Sequence, residues 1–176
     1  MSFLKKPLVA FLICVIVVCA SSVISVHAKL DRKCEAITEN FSAAGGIADQ
    51  LGTVCTAGSG IVQLAESYGL ETAEAGDLCK ALRYSVSTAS PSTLARLYSI
   101  VLGQFNDLEA SLRRAELSEK DAALLESYSA ELKAAQSAIS TDSYNSLVSG
   151  FLRDKLGSFG TGVARLCGVE LPEKFA

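Results

Sequence analysis

Imidazole is almost missing from this chain. Of 176 residues one is His and one is Met, and Trp is absent. His27 lies within an N-terminal apolar stretch, so a chain without that stretch carries no imidazole at all. That excludes a Ser-His-Asp or Cys-His mechanism, a His general base and every His-containing zinc site. A glycosidase running on two carboxylates also needs an aromatic-lined sugar cleft, which a chain without Trp is poorly equipped to build. Clustered positive charge is missing too. There are 16 Lys and Arg against 19 Asp and Glu, for a net charge of -3. The densest basic spot, Arg113-Arg114, reads as a solvated helix face. Nucleic acid and anionic membrane are therefore not expected as partners.

Recognisable chemistry is also scarce. No CxxC pair and no EF-hand loop occurs. Gly157-Ser158-Phe159-Gly160-Thr161-Gly162 lacks the GK[ST] ending of a phosphate loop, and Thr56-Ala57-Gly58-Ser59-Gly60 is no better. Glu66, Glu71, Glu74 and Asp77 read as a solvated face, and Asp142 and Asn145 as cap residues. No catalytic residue, metal site or cofactor is expected.

The N-terminus is the clearest signal present. Lys5 and Lys6 precede an apolar run from Pro7 to about Val26, and Val26-His27-Ala28 ends it in a small-x-small pattern. This is the layout of a secretory signal peptide cleaved after Ala28, although about 20 apolar residues are also enough to span a bilayer. Residues 1–28 are read as leader and 29–176 as one extracellular, secreted domain. Removing the leader takes two lysines and no acid from the net charge of -3, leaving -5. Without a second hydrophobic span or a hydrophobic C-terminal tail, no stable membrane anchor is expected after cleavage.

Helical periodicity dominates the rest. Cys34, Ile37, Phe41, Ala44, Ala48 and Leu51 recur at spacings of 3, 4, 3, 4 and 3, which predicts a helix over 31–51 with Gly45-Gly46 as a kink or a close contact. A Gly-rich stretch of doubtful helicity follows, then Ile61, Leu64, Ala65 and Tyr68 on one face, with Gly69 as a left-handed C-cap. Further helices are expected over about 72–88, from the Ser90-Pro91 start to about Ala115, from the Ser118/Asp121 capping box onward, and from Thr141 or Asp142 to about Gly157. No segment alternates at period two. The fold class is all-α: an antiparallel bundle of about five to six helices, stapled by two disulfides.

Cys34, Cys55, Cys79 and Cys167 form an even set in a secreted chain. A continuous first helix would hold Cys34 and Cys55 about 30 Å apart, whereas bridged Cα atoms lie within about 7 Å. Cys55 and Cys79 are equidistant from residue 67, beside the turn at Tyr68–Glu71, so antiparallel helices bring them level. Cys55–Cys79 is the favoured pair, leaving Cys34–Cys167. Structural bonds are preferred to metal or thiol chemistry in an oxidising compartment without CxxC. Asn40-Phe41-Ser42 is a glycosylation sequon, with Asn40 turned about 100° from Phe41.

Secreted four-cysteine bundles rich in Ala, Ser and Leu include the plant invertase and pectin methylesterase inhibitors, which this chain resembles in class. It is similar in class also to the small helical, disulfide-bonded salivary proteins of blood-feeding insects. The first family's closely spaced early cysteines are not matched by Cys34 and Cys55, and no residue is carried over from either.

Two functions are expected. The first is a secreted, non-enzymatic helical binding protein acting by contact with an extracellular protein, such as a protease or a host defence factor, as inhibitor or effector. The second is an extracellular carrier of a small apolar molecule held between helices, lined by Leu97, Val101, Phe105, Tyr128, Leu132, Phe151 and Leu152.

Overall fold

The computed structural model describes residues 7–156, 164 and 168–176. It is 80% helix, with no strand among the described residues. In chain order the helices are α1 (Pro7–Ser42), α2 (Ile47–Ser67), α3 (Ala73–Ser85), α4 (Pro91–Leu112), α5 (Glu119–Thr141) and α6 (Tyr144–Gly150), the last running into a π-helical segment, Phe151–Leu156. The all-α expectation holds. The bundle itself has four helices, α2 to α5, rather than five to six. The C-terminal part of α1 and the short α6 pack against each other and border it.

The first reason for the difference is a break in the helix expected over 31–51. Gly45 adopts φ +80°, a left-handed conformation open to glycine without a Cβ penalty. Its N–H donates to Asp49 Oδ2 at 2.9 Å, and Gly46 N–H donates to the Ala43 carbonyl at 2.8 Å. A Cβ on Gly46 would stand 2.6 Å from the Asn40 carbonyl oxygen, so only glycine fits this corner. One predicted helix thus becomes the end of α1 and the start of α2.

The second difference is the helicity of α2 through Gly52, Gly58 and Gly60. Glycine weakens a helix by about 1 kcal/mol relative to alanine. Two of these glycines are seats for rings arriving from other helices. A Cβ at position 58 would overlap the ring of Phe105 from α4, and one at position 60 would lie 2.5 Å from Tyr128 Cζ of α5. Phe105 is fully buried, and burying such a ring stabilises by about 1.5–3 kcal/mol. Around these rings Leu51, Val54, Ile61, Leu82, Leu94, Val101, Leu112, Leu125 and Leu132 close the core.

The corners follow local rules. Leu70 N–H donates to Ala65 O and Gly69 N–H to Glu66 O, both at 3.0 Å, with Gly69 at φ +71°. This is the Schellman ending expected at Gly69. Ser90 Oγ accepts from Thr93 N–H at 3.4 Å with Pro91 next to it, opening α4 as expected. Ser118 Oγ accepts from Asp121 N–H at 3.2 Å and donates to Asp121 Oδ2 at 2.8 Å, opening α5. Tyr68 joins this cap from the end of α2: its hydroxyl donates to Asp121 Oδ2 at 2.7 Å and accepts from Ser118 N–H at 3.1 Å.

The C-terminal tail returns to the bundle. Phe175 N–H donates to Asn145 Oδ1 at 2.8 Å, and Asn145 Nδ2 donates to Phe175 O at 2.7 Å. The Phe175 ring lies 6.1 Å from Phe41 and 5.8 Å from Tyr98, and Phe41 meets Tyr144 edge-on at 5.1 Å. One aromatic cluster therefore links α1, α4, α6 and the tail. At the other end of α1, the described side chains from Phe11 to Val26 are all exposed, and packing begins at Leu30. By length and composition this segment suits a signal sequence and a membrane span equally.

Two stability tests follow from these contacts. Gly52 has nothing within 4 Å of an added Cβ, so Gly52→Ala should stabilise by about 1 kcal/mol. Gly58→Ala should destabilise by about 1–3 kcal/mol through overpacking against Phe105, despite the same gain in helix propensity. Urea unfolding of the pair checks the opposite signs. The second test uses Tyr68. Hydrogen bonds from Tyr68 and then Ser118 hold the Asp121 carboxyl below its ordinary value. Its contribution is present above the unfolded carboxylate value of about 3.9 and fades as pH falls through the lower folded value. Tyr68→Phe should therefore melt below wild type at pH 6, with the gap narrowing as pH is taken down towards 2 in thermal scans.

Candidate functional site

The residues expected to line an interior ligand pocket are mostly core. Val101, Phe105 and Leu132 are fully or almost fully buried, and Leu97 and Tyr128 pack against the same cluster. The Phe105 and Tyr128 rings already occupy the space over Gly58 and Gly60. Phe151 and Leu152 lie on the π-helical segment, each at the edge of an open surface recess; Leu152 also packs against the main core, whereas Phe151 belongs to the smaller cluster around Cys34.

The first recess is apolar. Lys33, Ala36 and Ile37 of α1 face Ser146, Leu147 and Gly150 of α6, with Phe151 at the end, around a groove of about 460 Å³. Spacing explains the face: 33, 36 and 37 fall on one side of a helix, as do 146, 147 and 150. Leu147 remains 42% exposed there. α1 and α6 pack directly on each other along the groove, with Phe41 meeting Tyr144 beside it.

A second, polar recess lies further round α1. Asp31, Glu35, Glu39 and Glu170 surround Thr38 and Cys34 in about 470 Å³. Burial, followed by the Asp31 charge, pushes the Cys34 thiol above its ordinary value. Cys34 packs against Phe151, Ala164 and Val169. Its expected partner Cys167 lies outside the described residues. Among those residues no group of three His, Cys, Asp or Glu side chains is placed to hold a metal ion.

The third recess holds the other two cysteines. Cys55 of α2 and Cys79 of α3 come within 4.2 Å, as their equal distance from the turn predicts, but no disulfide joins them. The cysteines Cys14, Cys34, Cys55 and Cys79 are free thiols, which corrects the expected stapling for the pair that is described. Cys79 Sγ donates to the Cys55 carbonyl at 3.4 Å, and Cys55 Sγ reaches the Cys79 carbonyl at 3.8 Å. Ser59 Oγ lies 3.4 Å from Cys79 Sγ. A cleft of about 260 Å³ opens beside them, with Lys80 and Arg83 on its wall.

Asn40 is exposed on the last turn of α1, accessible to a glycosylating enzyme. The sequence reading missed three features. Asn145 is a clasp for the tail rather than a cap, and Asp142 alone caps, accepting from Tyr144 N–H at 2.7 Å. Arg83, one helical turn beyond Cys79, was a legible signal left unused. The groove between α1 and α6 had no local signal. Comparison of the chain with known protein families, curated proteins and solved structures finds no match.

Asn145→Ala removes two hydrogen bonds to the Phe175 backbone and should cost about 1–3 kcal/mol. Hydrogen exchange in a peptide covering 168–176 should rise well before the bundle amides change. An unchanged tail would show that Phe175 is held by its ring contacts alone.

Proposed function

We propose that the chain is a non-enzymatic helical binding protein that acts outside the cytosol by contact with another protein. One observation carries the reading: the interior between the helices is filled by its own rings, while an apolar groove with an exposed leucine is left open between α1 and α6. An apolar anchor from a partner protein would remove Leu147 and the exposed part of Ile37 from water over the buried Phe151 ring, the arrangement in which a few central residues dominate affinity. Lys33 at the rim offers a charge for the polar border of such a contact.

Residues 1–28 serve as a leader on this reading, and the basic start, apolar core and Val26-His27-Ala28 ending support it. Outside the cytosol Cys55–Cys79 becomes one disulfide and Cys34–Cys167 the other. Cys34 packing against residues on either side of position 167 supports the second pair. A glycan on Asn40 completes the secreted form.

Purified protein and Leu147→Asp are compared by cross-linking in the fluid from which the protein is secreted. A single protein partner retained by wild type and weakened about tenfold or more by Leu147→Asp supports the reading. Equal thermal melting of the two proteins shows that the fold is intact. Co-purifying lipid with no protein partner overturns the reading in favour of a carrier of a small apolar molecule.

A further inference from the structure

We propose that Cys79 and Cys55 form a two-electron thiol–disulfide exchange site, in which Cys79 meets a small carboxylate-bearing disulfide in the cleft and Cys55 resolves the adduct. The inference stands apart from the groove between α1 and α6, because it uses only α2 and α3. Here access is unequal: Cys79 lines the cleft and is 5% exposed, whereas Cys55 is fully buried behind it. The two residues lie within 4.2 Å, so the second sulfur needs only a small movement to reach the first. The cleft wall carries Lys80 and Arg83 as well as Glu66; Lys80 is paired with Asp77 at 3.1 Å, so Arg83 is the cation that would meet the carboxylates of an incoming disulfide.

The electrostatics agree with this division of labour. Hydrogen bonds from the Cys55 thiol and the Ser59 hydroxyl, then the Arg83 and Lys80 charges, hold the Cys79 thiol below its ordinary value. Hydrogen bonding to Cys79 and burial push Cys55 above its own. The attacking sulfur is thus the one at the cleft wall, less buried than its neighbour, and also the more readily ionised one. Cys34 is equally exposed and lines a recess of its own, but burial and the Asp31 charge push its thiol upward.

The exchange balances with the small disulfide as oxidant. Cys79 loses its proton to water, and its thiolate attacks one sulfur of the small disulfide. A Cys79–S bond forms, the small S–S bond breaks, and one small thiolate leaves and is protonated. Cys55 then attacks Cys79 Sγ, forming Cys55–Cys79, and its proton passes to the second departing small thiolate. Two protein thiols are oxidised by two electrons, and one small disulfide is reduced to two thiols. The product ties α2 to α3, and the reverse sequence frees them.

The test uses the reduced full chain in detergent with oxidised glutathione as probe and peptide mapping by mass spectrometry. Cys55→Ser should accumulate a glutathione adduct on Cys79, and Cys79→Ser should form one on Cys55 at least about tenfold more slowly. Arg83→Gln should lower the rate with glutathione more than the rate with cystamine, whose charge is positive. Should a variant fail to fold, alkylation of the reduced wild-type chain decides: Cys79 labelled about tenfold ahead of Cys55, and already below the ordinary thiol pKa of about 8.5, is the expected result. Equal labelling, labelling of Cys55 first, or no labelling of either until denaturant is added would overturn the proposal.

Discussion

The bundle depends on how thin one helix is. Distances between packed helices are set by the side chains at the contact. α2 can touch α3, α4 and α5 together because it presents hydrogen where most helices present a methyl or more. Phe105 enters at Gly58, and Tyr128 enters at Gly60. Glycine inside a helix is unfavourable by about 1 kcal/mol relative to alanine, which two or more times over would be a large fraction of the stability of a small domain. Burial of the Phe105 ring, worth about 1.5–3 kcal/mol, offsets the cost at Gly58, and the partly buried Tyr128 ring contributes at Gly60. The glycine that has no ring over it, Gly52, shows no such compensation.

From that central helix the rest is positioned. The Schellman corner at Gly69 reverses the chain within a few residues, so α3 runs back along α2 and places Cys79 level with Cys55. The end of α2 also supplies Tyr68 to the start of α5, where its hydroxyl serves both the Ser118 backbone and the Asp121 carboxylate. One helix thus sets the sulfur pair at one height and the capping network at another. Both depend on local backbone geometry that side-chain substitution elsewhere leaves alone.

What could be read from the sequence was whatever rests on local chemistry. Ser90-Pro91, Ser118 with Asp121, and Gly69 each satisfy orphan backbone groups within a turn, and each was found where its residues predict. The Cys55–Cys79 meeting needed only a turn and a symmetry about it. Glycine was where the reading failed, in both directions. A helix was drawn through Gly45-Gly46, which breaks, and doubted at Gly58 and Gly60, which stay helical. The residue type is the same in both cases. The outcome depends on whether a ring from a distant helix fills the space or the backbone turns into φ > 0, and neither is encoded nearby. The groove between α1 and α6 was invisible for a similar reason, since it is lined by Lys33–Ile37 and Ser146–Phe151, more than a hundred positions apart. Val101, Phe105 and Leu132, expected along an interior ligand site, lie together in the buried core: an apolar stripe looks alike whether it lines a cavity or fills one.

The N-terminal helix separates into two parts by the same criterion of contact. Up to Val26 its described side chains face solvent, and from Leu30 they begin to meet Cys34, Phe151 and the residues near the tail. The boundary falls within a turn of Ala28, where the sequence places the cleavage. Loss of residues 1–28 would remove no residue of either hydrophobic cluster. It would leave a helix of about fourteen residues, a length marginal on its own in water, so its persistence would rest on Ile37 and Phe41 packing against the bundle. Retention of the same residues would instead carry the groove close to a membrane surface, because Lys33 and Ile37 lie roughly 10–17 Å along the helix from Val26 at about 1.5 Å per residue. The bundle is indifferent to which of these happens. The groove is not, since its distance from a membrane would follow the fate of a segment whose described residues contribute nothing to the core.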